Sequence, residues 1–107
     1  MKFKIYQLKE IKNCDYAFMN WEFAETHGFK MSDYEEVYSG EREQKHILSN
    51  LFEEFNLNHP ADFRGRSMSV SDVIALKKDG NDYWYWYYVD AIGWKEITSR
   101  YEFPEED

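Results

Sequence analysis

Residues 82–90 read DYWYWYYVD, seven ring-bearing or branched side chains in a row between two carboxylates. Read as a strand, period two puts Tyr83, Tyr85, Tyr87 and Val89 on one face and Trp84, Trp86 and Tyr88 on the other. Aromatic side chains favour strands for packing reasons. A strand with rings on both faces needs cover on both sides. The run Val73, Ile74, Ala75, Leu76 just before it is short and apolar, and KKDGND joins the two. Asp79-Gly80 within that joint has the chemistry of a tight hairpin whose two central residues favour positive φ.

Working outward, the segment FKIYQL alternates, with Phe3 and Ile5 on one side and Tyr6 and Leu8 on the other, which is a strand apolar on both faces. Asn20 is placed to cap a short helix carrying Trp21 and Ala24, and Gly28 suits the left-handed residue that ends it. Tyr34 through Tyr38 reads as a second strand. From Gln44 to Leu57 the side chains Ile47, Leu48, Leu51, Phe52 and Phe55 form one stripe at helical spacing, with Asn58, His59 and Pro60 as the stop. That stripe is expected to cover one face of the aromatic strand, with Phe52 buried in it. Gly93 marks a bend before a last strand from Trp94 to Ile97. The expected fold is α+β, a small, mostly antiparallel sheet of four to five strands with two helices packed on it. With 107 residues, a single domain is expected over 1–107, with the acidic tail 102–107 flexible.

Hydrophobic residues make up 43% of the chain and aromatic residues 20%, enough for a core rich in rings. Cys14 is the lone cysteine, so no internal disulfide forms, which fits a reducing cytoplasm. No apolar run approaches the roughly 20 residues that span a bilayer, and MKFKIYQLKE lacks the apolar core of a secretory signal. The expected location is cytoplasmic, away from the membrane. A net charge of -8 repels a phosphate backbone, so direct nucleic-acid binding is not expected. The acids cluster at Glu35-Glu36, at Glu53-Glu54 and in the tail. Such groups either solvate the surface or, aligned on one face, imitate phosphates and occupy a basic groove on a nucleic-acid enzyme.

No catalytic pattern stands out. His27, His46 and His59 match no metal spacing, the glycines are scattered singly, and no cofactor or metal is expected. The run RSMSVSD, residues 66–72, reads as a turn whose Ser and Asp side chains bond nearby backbone. For the aromatic strand, plain core packing stands beside a protein-contact surface through Trp84, Trp86 and Tyr88, with at least one ring of the strand left partly exposed and a homodimer among the options.

The segments FKIYQL, DYEEVYSGE, LFEEFNLNHPADFRGRSMSVSDVIAL and YYVDAIGWKEI, in that order, resemble the YodL-like domain family. The resemblance runs from Phe3 to Ile97, and FNLNHPADFRGRSMSVSDV is its most specific part. It implies a small bacterial protein of the kind found in Firmicutes and often encoded on plasmids and integrative conjugative elements. It carries no catalytic residue over. The DYWYW hairpin and the acidic tail depart from the family's usual pattern. Together with the charge, the setting implies a mobile-element accessory protein acting by protein binding and not as an enzyme: an anti-CRISPR or anti-restriction inhibitor of a host nuclease, its acidic surface supplied by Glu35, Glu36, Glu53 and Glu54. A regulatory module binding a host or conjugation protein through the aromatic hairpin 82–90 is the alternative.

Overall fold

The computed structural model describes residues 1–99, 101 and 103, so the tail 102–107, apart from Phe103, lies outside the described residues. Five strands form one antiparallel sheet: β1 (Lys2–Leu8), β2 (Tyr34–Glu41), β3 (Val73–Lys77), β4 (Tyr85–Val89) and β5 (Trp94–Glu96), in the spatial order β2-β1-β3-β4-β5. Two helices, α1 (Trp21–Thr26) and α2 (Ile47–Leu57), accompany it. The α+β expectation holds.

Alternation in β1, β3 and β4 divides the core in two. On one face Phe3, Ile5, Ile74, Leu76 and Val89 meet Ile47, Leu51 and Phe55 of α2. On the other, Tyr6, Val73, Ala75, Trp86 and Tyr88 meet Tyr16, Trp21, Ala24 and Phe29. Asn20 caps α1 through its side-chain oxygen, which accepts from Phe23 N–H at 2.9 Å, and Gly28 follows with φ +86°.

Several boundaries move. Helix α2 begins at Ile47 and not at Gln44, because His46 sits in the left-handed region at φ +53° and interrupts the helical path. The buried stripe is accordingly Ile47, Leu51 and Phe55, one residue per turn, and Phe52 is only half-buried beside Trp94. Strand β2 runs on to Glu41. The joint between β3 and β4 does turn at Asp79-Gly80, with Asn81 N–H donating to the Lys78 carbonyl, but only Gly80 has positive φ and pairing resumes at Leu76↔Tyr85. A single left-handed residue at the third turn position describes a wider loop than a two-residue hairpin.

Trp84, Trp86 and Tyr88 are buried beneath their own chain, which removes them from the surface as partner-binding residues. The cover came from residues the alternation of a strand says nothing about. Trp21 and Phe29 close on Tyr88, Tyr101 packs edge-on to both Trp21 and Phe29, and Phe103 stacks on Trp86 with centroids 4.4 Å apart. On the strand's other face Tyr83, outside the paired region, is 66% exposed.

Candidate functional site

β2 is an outer strand, paired with β1 on one side only. Its free edge is acidic: Glu35, Glu36 and Glu41 are all exposed. Glu35 lies opposite Gln7 and Glu36 opposite Tyr6, so the two carboxylates leave the strand toward opposite faces, and Glu36 meets Lys4 at 3.5 Å. Between the pairs Ile5↔Tyr38 and Tyr6↔Glu36, Val37 has no partner, a bulge that bends the edge. Where β2 ends, Arg42 donates from Nε and Nη2 to both oxygens of Glu54 at 3.0 and 2.7 Å. Glu54 is therefore engaged within the chain and is not a free acidic contact, because a guanidinium and a carboxylate in bidentate register satisfy each other. Glu53, its neighbour on α2, is exposed.

Tyr38, midway along β2, donates to Asp62 Oδ1 at 3.0 Å and rests on Phe55 and Phe63. The expected acids therefore do not share one face. Glu35 and Glu36 stand at the start of β2, with Arg42 and Glu54 about 20 Å away by strand rise.

Under the start of β2 lies a polar network that sequence reading missed. Gln7 Nε2 donates to the Arg66 carbonyl at 2.9 Å and to Asp72 Oδ2 at 3.0 Å, while its Oε1 accepts from Arg66 N–H at 3.0 Å. Ser69 N–H also donates to Asp72 Oδ2, and the Tyr34 hydroxyl donates to the Ser71 carbonyl at 2.6 Å. Gln7, Ser71 and Asp72 are all buried. Gly65 is required there, since a Cβ would stand 2.6 Å from Gln7 Oε1 and 2.8 Å from the Phe63 ring. The network fixes the loop that carries Arg64 and Arg66. That loop and β2 flank a cleft of about 440 Å³, with Arg64 and Arg66 lining it together with Glu35 and Glu36. The signal was present: Gln7 shares the period-two face of Phe3 and Ile5, so its amide had to be buried and bonded.

Burial raises the Asp72 carboxyl from 3.8 to about 7, against the opposing pull of the Gln7 amide, Ser69 N–H and Arg66. A folded-state value above the unfolded one means that the native state holds the proton more tightly. The stability this confers is complete below about pH 4 and is lost as pH rises through about 7. Asp72→Asn keeps an oxygen for both donors and is expected to flatten that dependence in urea unfolding between these limits. A slope unchanged from the parent would count against the assignment.

At another place, the loop before α1 is tied to the β4–β5 turn. Tyr88 donates from its hydroxyl to the Met19 carbonyl at 2.7 Å, and Trp21 N–H donates to Asp90 Oδ1 at 3.0 Å. Phe18, in the left-handed region at φ +63°, donates its N–H to Ser71 Oγ and leaves its ring 50% exposed. The histidines do not converge: His27 stacks on Phe23, His46 opens α2 and His59 meets Ser67. Among the described residues no cluster of His, Cys, Asp and Glu fit to hold a metal ion occurs, and no helix is long and apolar enough to cross a membrane.

Neither a curated protein nor a solved structure matches the chain. The family model of the YodL-like domain matches residues 2–100, taking in all five strands, both helices and the buried Gln7–Asp72 network, and the chain therefore belongs to the YodL-like domain family.

Proposed function

We propose that this domain is an accessory protein of a mobile element that works in the cytoplasm by binding, and that it inhibits a host restriction or CRISPR nuclease by meeting the enzyme's basic nucleic-acid groove with its acidic edge. The observation that carries this reading is the outer strand β2, which exposes Glu35, Glu36 and Glu41 on a chain of net charge -8. Carboxylates on a free edge attract a basic partner at long range, and the bulge at Val37 with like charges beside it disfavours pairing with a second copy.

The test is plasmid transformation into cells carrying a defined restriction or CRISPR system, with and without the protein. Wild type is expected to raise transformation severalfold. Glu35→Lys/Glu36→Lys/Glu41→Lys is expected to abolish that gain while leaving the circular dichroism spectrum unchanged, and added salt should weaken the isolated complex. Protection that survives the triple reversal would reject the acidic edge. If Tyr83→Ala abolishes protection instead, the contact runs through the aromatic hairpin 82–90, whose Tyr83 is exposed, and not through the acidic edge.

A further inference from the structure

Strands β1 and β3 place Lys2 directly opposite Lys77. Like charges facing each other across an antiparallel pair repel. The chain carries 21 acidic residues against 13 basic ones, yet Lys2, Lys77 and Lys78 make no ion pair among the described residues. Asp79, the nearest acid in sequence, is turned to the N-terminal ammonium at 3.5 Å. Lys4 joins the same face: its Nζ lies 5.4 Å from the centre of the Trp84 ring, and Lys77 Nζ lies 6.0 Å from it. Folding has thus gathered cations from two strands around one indole, Lys4 being shared with Glu36 at 3.5 Å. Trp84 is itself 9% exposed, and its indole Nε1–H has no acceptor among the described residues.

Lys2, Lys4, Ser39, Glu41 and Trp84 line a cleft of about 330 Å³, with Glu41 directly across β1–β2 from Lys2, and a smaller one of about 200 Å³ adjoins it between Lys2, Lys77, Lys78 and Asp79. We infer that this cationic end of the sheet is a binding site for a small phosphate-bearing ligand. An anion between Lys2 and Lys77 turns their repulsion into two charge-assisted contacts, and the Trp84 ring shields the Lys77 side of the site from water, where such contacts strengthen. The size and the surrounding charge choose among anions. A net charge of -8 repels a long polyanion, whereas a mono- or diphosphate fits within the cleft and feels chiefly the lysines that touch it. Glu41 of the acidic edge also lines this cleft, but the titration below reads the lysines and Trp84 directly and so does not depend on nuclease inhibition.

The experiment titrates the full-length, ¹⁵N-labelled protein with inorganic pyrophosphate at constant ionic strength and follows the tryptophan indole N–H signals. The Trp84 signal is expected to move and saturate, and Lys2→Ala/Lys77→Ala to weaken the response by about tenfold or more. Lys12→Ala serves as the surface-charge control and should leave it unchanged. Should the alanine pair perturb the fold, Lys2→Gln/Lys77→Gln keeps the aliphatic stems and tests the same charges. A Trp84 signal that stays fixed, or moves equally in the double variant, would overturn the site. Tighter binding of a short single-stranded oligonucleotide than of pyrophosphate would overturn the small-ligand assignment.

Discussion

Phe55→Ala is expected to destabilise the protein by about 3 to 5 kcal/mol, the range for removing a large ring from a tightly packed core. Phe55 is fully buried and touches three other rings, with centroids at 4.9 Å to Phe63, 5.1 Å to Tyr38 and 6.1 Å to Phe3. Those partners sit on β1, on β2 and on the loop after α2, so the space left by truncation has walls that cannot collapse together. Phe52 supplies the contrast. It is half-buried against Trp94 at 6.5 Å, and its truncation should cost only about 1 kcal/mol. Urea unfolding of both variants checks the register of α2. Equal losses at the two positions would mean that the helix is rotated from the arrangement described here.

Gln7→Leu is expected to cost about 3 kcal/mol, although leucine has nearly the same volume and greater hydrophobicity. The side chain of Gln7 makes three hydrogen bonds, and its loss strands the Arg66 N–H, the Arg66 carbonyl and one side of Asp72. Each buried polar group left without a partner costs about 1 to 3 kcal/mol, partly relieved where water enters. A second consequence separates this account from simple misfit. The Gln7 amide holds the Asp72 carboxyl down against burial, so without it the pH at which stability is lost should move above the parent's. An unchanged pH profile with the same loss of stability would assign the cost to packing alone.

The sequence carries its strands and helices openly because they rest on local periodicity. Alternation in FKIYQL and YWYYV announces two apolar faces, Asn20 announces a cap, and the apolar spacing along α2 announces one covered side. What alternation cannot state is which distant residues supply the cover. Trp84, Trp86 and Tyr88 were therefore as readily a contact surface as a core until Phe29, Tyr101 and Phe103 were found closing on them. The acidic candidates divide for a similar reason. Glu35 and Glu36 are exposed on the outer strand, as their charge leads one to expect, but no local pattern links Glu54 to Arg42, which comes beside it only when β2 and α2 pack. The left-handed His46 likewise breaks a pattern that side-chain periodicity alone would continue.

The place of β1 in the sheet bears on how the chain is made. This first strand is paired on both sides, with β2 and with β3, and its second partner ends only at Lys77. During synthesis the β1–β2 pair can form early, but one side of β1 stays unpaired until β3 has left the ribosome. The apolar face of that pair gains its last rings later still, with Tyr101 and Phe103. Pairings this distant in sequence are slow to close and leave sticky intermediates exposed. A nascent chain halted before β3 would offer the unpaired backbone edge of β1 to chaperones or to other nascent chains, and the domain should be most prone to misassembly at that stage of its synthesis.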